Sequence, residues 1–393
     1  MKYTLLLVFI ILRITLGHSQ VLSDQTQVSL ITCDEGEEIY SLFGHSAIRI
    51  RDVRNSIDFV YNWGMFEFGE NELDFQIRFA KGKLKYYMAE ELYENFIEGY
   101  KWEQRTVREQ VLNLTYLQKL SLWKEIQINY QPENRYYQYD FFFDNCSTRI
   151  NALLKKVLGK ELIVTELPNA NKYSYRQLID KQVNKSQPWS DFGIDLALGK
   201  KIDKLATSDN MQFLPKYLEE FVALSQLNKK GEQINLVLKN VVLVQGVSHV
   251  ETAYKGLTPM ILCWGLFFVL LILHFINVQK VAFVFDITFL LLFGILGVVV
   301  LLLWLYTDHQ PTKLNYNLLW ANPIHIITII MLFVKKEVIK NYYLIMAFYS
   351  FSIVLFWIAL PQEFNPAVRP LILIQVLIYY YWYKKAELKY KKE

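Results

Sequence analysis

The run Tyr139-Asp140-Phe141-Phe142-Phe143-Asp144-Asn145-Cys146-Ser147-Thr148-Arg149-Ile150 decides what kind of domain this chain builds. Downstream of it, Ile150, Leu153, Leu154, Val157 and Leu158 fall at the spacing of one apolar helix face, which Lys155, Lys156 and Gly159 close. Asp144 or Asn145 can cap that helix, because a short polar side chain accepts hydrogen bonds from the unpaired N–H groups of the first turn. Cys146 then lies in the first turn, where those N–H groups and the positive end of the helix dipole favour a thiolate. Upstream, Phe43-Gly44-His45-Ser46-Ala47-Ile48-Arg49-Ile50-Arg51 alternates isoleucine against arginine, the period of a half-buried strand. His45 heads that strand on the face away from Ile48 and Ile50. A thiolate at a helix start facing a histidine on a strand is an arrangement suited to nucleophilic catalysis. Each residue also has a plainer reading, Cys146 as a buried thiol behind an ordinary cap and His45 as a hydrogen-bonded core histidine.

Around this pair the first 240 or so residues read as mixed α and β. Val28–Thr32 and Ile57–Gly64 are strand candidates, the second forming a hairpin with the His45 strand across a turn at Asp52–Ser56. Residues 71–80 and Leu92–Trp102 read as helical, Lys83–Glu90 and Arg105–Leu114 as extended. Thr115 starts a helix over Tyr116–Asn129 with Leu117, Leu120, Trp123 and Ile126 on its apolar face. Of the three cysteines, only Cys33 and Cys146 lie in this part, so a disulfide between them is one alternative to a reactive thiol. No second Cys or His stands at ligand spacing, so no metal is expected. Asp74, Glu90 and Glu91 show no pairing typical of a carboxylate dyad, and neither His18 nor His249 has an evident partner. No Lys/Arg-rich face resembles a nucleic-acid footprint, so nucleic acid is not an expected partner.

The chain is 53% hydrophobic, and the excess is concentrated after residue 255. Crossing a hydrocarbon core takes ~20 apolar residues, and about five such segments can be read, at 257–278, 282–305, 317–334, 341–360 and 367–383. At the other end, Lys2 and the apolar Leu5–Leu12 and Ile14–Gly17 read as a signal peptide over 1–19, with an uncleaved anchor as the alternative because of Arg13. Export of residue 20 onward leaves Lys280, Lys335, Lys336, Lys340, Lys384, Lys385, Lys389, Lys391 and Lys392 on the inner side. The outer loops then hold only Lys313 and Arg369. This positive-inside asymmetry predicts a periplasmic N-terminal domain and a cytoplasmic C-terminus in a multi-pass bacterial inner-membrane protein. The outer loop around 307–325 crowds Asp308, His309, Asn315, Asn317 and Asn322 at the membrane face. They read equally as functional groups and as caps with interfacial anchors.

Four segments resemble the Bacteroidota lipoprotein N-acyltransferase Lnb family: Ser41-Leu42-Phe43-Gly44-His45-Ser46-Ala47-Ile48-Arg49, Tyr61-Asn62-Trp63-Gly64-Met65-Phe66, Asp144-Asn145-Cys146-Ser147-Thr148-Arg149 and Asn315-Tyr316-Asn317-Leu318-Leu319-Trp320. The likeness covers essentially the whole chain. It implies an α+β exported domain of circularly permuted papain-like type, similar to NlpC and lecithin:retinol acyltransferase folds, with the histidine strand before the cysteine helix, plus an α-helical transmembrane bundle. The expected layout is a catalytic domain at 20–180, a periplasmic extension or linker at 181–255 and a membrane domain at 256–393. The implied reaction moves an acyl chain from a membrane phospholipid, through a Cys146 thioester, to the α-amine of a diacylated lipoprotein, with His45 as base and then acid and no cofactor. Asn62, and after it Asp58, is expected to orient His45, since both lie on the face of their strand opposite Phe59, Tyr61 and Trp63. Asp308, His309 and Asn317 are expected to bind substrate. The competing reading is a membrane-anchored cysteine hydrolase acting on peptidoglycan peptides or phospholipid esters, and a third is a non-catalytic assembly factor.

Overall fold

The computed structural model describes residues 22–67, 71–247, 253–276, 278–333 and 338–390. The signal-peptide reading, His18, His249, Lys335, Lys336, Lys391 and Lys392 lie outside them. The N-terminal part is built on an antiparallel sheet of seven strands. They are β1 (Gln27–Cys33), β2 (His45–Asp52), β3 (Ile57–Phe66), β4 (Lys85–Leu92), β5 (Val107–Leu112), β6 (Tyr136–Gln138) and β10 (Val237–Val244). Across the sheet their order is β10-β5-β1-β2-β3-β4-β6. The alternation read in the sequence is what places them. Ile48 pairs with Tyr61 and Ile50 with Phe59 across the β2–β3 hairpin, and Leu30 pairs with Ile48 on the other side. This puts one apolar row on a single face.

The helices of this part, in chain order, are α1 (Glu72–Ala80), α2 (Tyr93–Trp102), α3 (Tyr116–Tyr130), α4 (Cys146–Leu158), α5 (Tyr175–Val183), α6 (Pro188–Ala197), α7 (Ser208–Met211) and α8 (Pro215–Leu224). The Ile48 face packs on Leu122 and Ile126 of α3, Ile150 and Leu154 of α4, and Leu178 and Phe221 of α5 and α8. The opposite face carries Ile31, Ala47 and Val60, covered by Phe96 and Ile97 of α2. Residues after 180 do not behave as a linker. Val183, Ile202, Phe213 and Leu236 are buried in the main core, and β10 extends the sheet at its β5 edge. A second sheet joins β7 (Leu162–Ile163), β8 (Gln226–Lys229) and β9 (Glu232–Asn235).

The C-terminal part is helical: α9 (Pro259–Phe275), α10 (Gln279–Tyr306), α11 (Ile324–Met331), α12 (Val338–Leu355) and α13 (Val368–Tyr390). The 28-residue α10 is long and apolar enough to cross a membrane by itself, whereas α9 and the apolar part of α12 are shorter. The third helical segment begins later than the expected residue 317. Tyr316–Leu319 is a separate 3₁₀ turn, and Asn322-Pro323 starts the true helix, with the Ile324 N–H donating to Asn322 Oδ1. Buried His325 finds both its partners inside this bundle, as apolar surroundings require. His325 Nε2 donates to the Trp320 carbonyl, and its Nδ1 accepts from the Tyr379 hydroxyl.

The two parts are joined by more than the chain. The Asn315 and Asn317 amides donate to the carbonyls of Leu196 and Asp195 at the end of α6. Asn365 donates to both Asp191 and Asp195, and Gln362 to the Leu198 carbonyl. Gly199 permits this approach, since a Cβ there would collide with the Lys313 carbonyl oxygen.

Candidate active site

Cys146 is the first residue of α4, held there by a capping box. The Asn145 side chain accepts from the Thr148 N–H while the Thr148 hydroxyl accepts from the Asn145 N–H. The Asn145 amide also donates to the Phe141 and Phe213 carbonyls, each at 2.7 Å, so the preceding turn is fixed to the core. Asp144 holds Arg149 through two short bonds, and that guanidinium lies over the Tyr137 ring at 3.5 Å. Ser147 closes the other side, its hydroxyl 2.9 Å from that of Ser46 on β2. These contacts seat the start of α4 on the first residues of β2, where His45 stands.

His45 is aimed by the glycine before it. Gly44 has φ +77°, and a Cβ there would lie 2.6 Å from the Cys33 carbonyl oxygen, so only glycine allows this entry into the strand. His45 Nε2 lies 3.1 Å from Asn62 Oδ1. Asn62 is itself oriented, because its amide donates to Glu91 Oε2 at 3.3 Å and thereby fixes which end faces the imidazole. Directly after Asn62 the β3–β4 pairing slips, at Gly64 with φ +87°. Such bulges re-aim side chains next to functional sites.

With Nε2 engaged by Asn62, Nδ1 is the nitrogen left free to face a partner, and Cys146 is near enough for its charge to act on the ring. Burial works against charge on both groups, and their mutual attraction outweighs it. For Cys146, burial raises the pKa, but the His45 charge and hydrogen bond, with further bonds from the Ser46 backbone and Ser147, leave it lowered. For His45, burial lowers the pKa, while the Cys146 charge and hydrogen bond and the Asn62 bond leave it raised. Both shifts run in the direction that favours thiolate and imidazolium. Cys33 is the contrast: burial drives its thiol up to about 12, and all three cysteines are free.

Of the residues singled out in the sequence, the structure brings Cys146, His45 and Asn62 together. Asp58 is committed elsewhere, paired with Arg49 at 2.7 Å. Glu91, to which sequence reading assigned no role, proves to be the partner behind Asn62. No spacing motif could have found it, since it comes from a neighbouring strand. Asp308 and His309 line a cavity of about 340 Å³ together with Gln138, Tyr139 and Asp140, the residues leading into the Cys146 turn. Asn317 is buried, with its amide on Asp195 and Leu196 and its oxygen accepting from Trp320 Nε1. Its hydrogen-bonding capacity is therefore spent inside the protein. Asp180, Asp191 and Asp195 bring ligand oxygens within 4.8 Å of one another at the junction of the two parts. Arg176 pairs with Asp195 and Asn365 donates to Asp191 and Asp195, so this cluster already has partners.

An α+β domain with a thiol–imidazole pair at one end of its sheet, bolted to a bundle of apolar helices, defines a two-part membrane protein. A family model described as the Lnb N-terminal periplasmic domain matches residues 17–181, and one described as the Lnb transmembrane domain matches residues 251–390. The chain belongs to the Lnb family and is an inner-membrane protein with a periplasmic N-terminal domain. No curated protein and no solved structure matches it.

Proposed function

We propose that this protein is a lipoprotein N-acyltransferase working through Cys146. The observation that carries the reading is the seating of Cys146, at the start of its helix, on the head of the His45 strand through the Ser46–Ser147 contact, with His45, Asn62 and Glu91 joined by hydrogen bonds behind it. The domain is of circularly permuted papain-like type, the histidine strand preceding the cysteine helix. The Cys146 thiolate attacks an ester carbonyl of a membrane phospholipid. The carbon–oxygen bond breaks, the lysophospholipid alkoxide takes the proton of the His45 imidazolium, and an acyl thioester remains on Cys146. The α-amine of a diacylglyceryl-cysteine then attacks the thioester, His45 accepts the amine proton, and the thiolate leaves. Asn62 holds the imidazole and its positive charge, and the first-turn N–H of α4 stabilises the oxyanion. Asp308 and His309 contribute to substrate binding. The helices deliver both lipid substrates to the periplasmic face, with five spans and the C-terminus in the cytoplasm.

The test is a mass measurement. Incubation with phospholipid vesicles should add one acyl mass, labile to neutral hydroxylamine, to the wild type and not to Cys146→Ala, while Cys33→Ala still acquires it. Discharge of that acyl group onto a diacylated lipopeptide supports transfer. Discharge to water alone would favour the hydrolase reading, and full activity of Cys146→Ala would overturn the mechanism.

A further inference from the structure

The cavity walled by the residues that lead into the Cys146 turn has a composition that points to one kind of ligand. Gln138, Tyr139 and Asp140 form one wall, and Asp308, His309 and Gln310 of the outer loop form the other. Its volume of about 340 Å³ is near the lower end of small-molecule sites, ~300–1,000 Å³, which suits a lipid headgroup and not an acyl chain. The Asp308–Gln310 wall begins two residues past the end of α10 at Tyr306, so the cavity opens where the longest apolar helix meets the headgroup zone. Tyr139 connects it to the chemistry: its ring lies against Gly64, two residues past Asn62, where a Cβ would meet it at 3.5 Å, and burial first and then the Cys146 charge raise its hydroxyl.

Two carboxylates face this space with capacity to spare. Asp140 Oδ1 accepts from the Phe142 and Phe143 N–H groups, and its second oxygen has no partner among the described residues. The Asp308 backbone N–H is tied to the Lys81 carbonyl, but its carboxylate makes no hydrogen bond or ion pair among the described residues. His309 is less available, since its Nε2 lies 2.8 Å from the Phe79 carbonyl and so donates to it. Lys81 and Lys83 flank Gly82 in the chain, yet neither lines the cavity. Carboxylate acceptors with amide side chains beside them suit a donor-rich cation, and a primary ammonium offers three N–H donors.

We propose that this cavity binds a primary ammonium between Asp140 and Asp308, on the approach to the Cys146 turn. The inference rests on the acyl-transfer reading. That chemistry can arrive in two ways, as an ethanolamine headgroup of the donor lipid or as the α-amine of the acceptor lipopeptide. In the second case the amine loses its proton before attack, and the carboxylates hold the ammonium that precedes it.

Asp308→Asn is the informative substitution, because nothing in the fold depends on that carboxylate. Asp140→Asn keeps the oxygen that accepts the two backbone bonds and serves as the second. Purified full-length protein is acylated from vesicles of phosphatidylethanolamine or of phosphatidylglycerol, and the rate at which Cys146 gains the acyl mass is followed. The acyl-enzyme is then chased with a diacylated lipopeptide. If the ammonium is the donor's, wild type acylates at least tenfold faster from phosphatidylethanolamine than from phosphatidylglycerol, and in each variant that ratio falls toward one. If it is the acceptor's, the lipid ratio stays that of the wild type and discharge slows at least tenfold relative to acylation, with Asp308→Glu restoring it. Wild-type lipid preference and wild-type discharge in both variants would overturn the assignment. A wild-type enzyme that never acquires an acyl group would instead overturn the transfer reading, and this inference with it.

Discussion

At the residue scale the chemistry depends on two opposed shifts. The Cys146 thiol is held below its ordinary value, which sets an acid limb: activity rises with pH as the thiolate forms. The His45 imidazolium is held above its ordinary value, which sets a basic limb: activity falls as that proton is lost. Because the Asn62 bond is one of the raising influences on His45, Asn62→Ala should move the basic limb to lower pH and leave the acid limb nearly in place. It should also lower kcat/KM about tenfold, or about 1.4 kcal/mol. Glu91→Ala should shift the basic limb in the same direction, since Glu91 holds Asn62 and its charge also acts on His45. A pH–rate profile of Asn62→Ala with an unmoved basic limb would show that the amide does not support the imidazolium.

At the scale of elements, the glycine before His45 can be separated from a glycine of similar conformation elsewhere. Gly44→Ala meets both the left-handed penalty, about 1–2 kcal/mol, and a collision with the Cys33 carbonyl. Gly159 stands at the far end of α4 with φ +51°. A Cβ there would meet nothing within 4 Å, so its substitution incurs only the backbone penalty. Both variants should melt earlier, but only Gly44→Ala should also slow alkylation of Cys146 by iodoacetamide, because only it displaces the imidazole. Equal alkylation rates in the two would mean that His45 tolerates a shifted strand entry. Which elements the sequence disclosed follows from the same physics. Alternation exposed β2 and β3, and a 3.6-residue period behind a cap exposed α4, because each buries one face against a single core. The segment after residue 180 escaped that reading. Its helices are short, and Asp191 and Asp195 are buried charged groups that break an apolar pattern. Asn317–Leu319 falls within the expected third helix because its apolar residues match a helix by composition, while Asn315 and Asn322-Pro323 enclose Tyr316–Leu319 as a separate turn. Glu91 and Asp140 were invisible as site residues because their meaning lies in the partners that strand pairing and the outer loop bring to them.

At the scale of the whole molecule, the two halves meet through carboxylates that are expensive to ionise. Burial first, and then the charge of Asp195, raise both Asp180 and Asp191 well above the usual carboxylate range. Arg176 opposes this in both, Asp180 also faces Glu363, and Asn365 binds Asp191 across the junction. When the halves separate, these carboxyls regain water and their ordinary acidity. The docked state therefore binds more protons than the undocked one over the interval between the two values. Its stability is complete below the ordinary carboxylate range and is lost as pH rises through the raised values. Docking should thus weaken from mildly acidic toward alkaline pH, which limited proteolysis of the 181–205 region in detergent-solubilised protein can follow. Asp191→Asn keeps an oxygen that can accept from Asn365 and removes the titration, so it should flatten that dependence and protect the junction at the alkaline end. Asn317→Ala should do the reverse at every pH. It strips the donor from the Asp195 carbonyl and the acceptor from Trp320 Nε1, and a buried group left unpaired costs about 1–3 kcal/mol. Cleavage that rises with pH as steeply in Asp191→Asn as in the wild type would place the sensitivity elsewhere. If Asn317→Ala opened the junction without lowering acylation, the membrane half would serve as a tether and not as part of the working site.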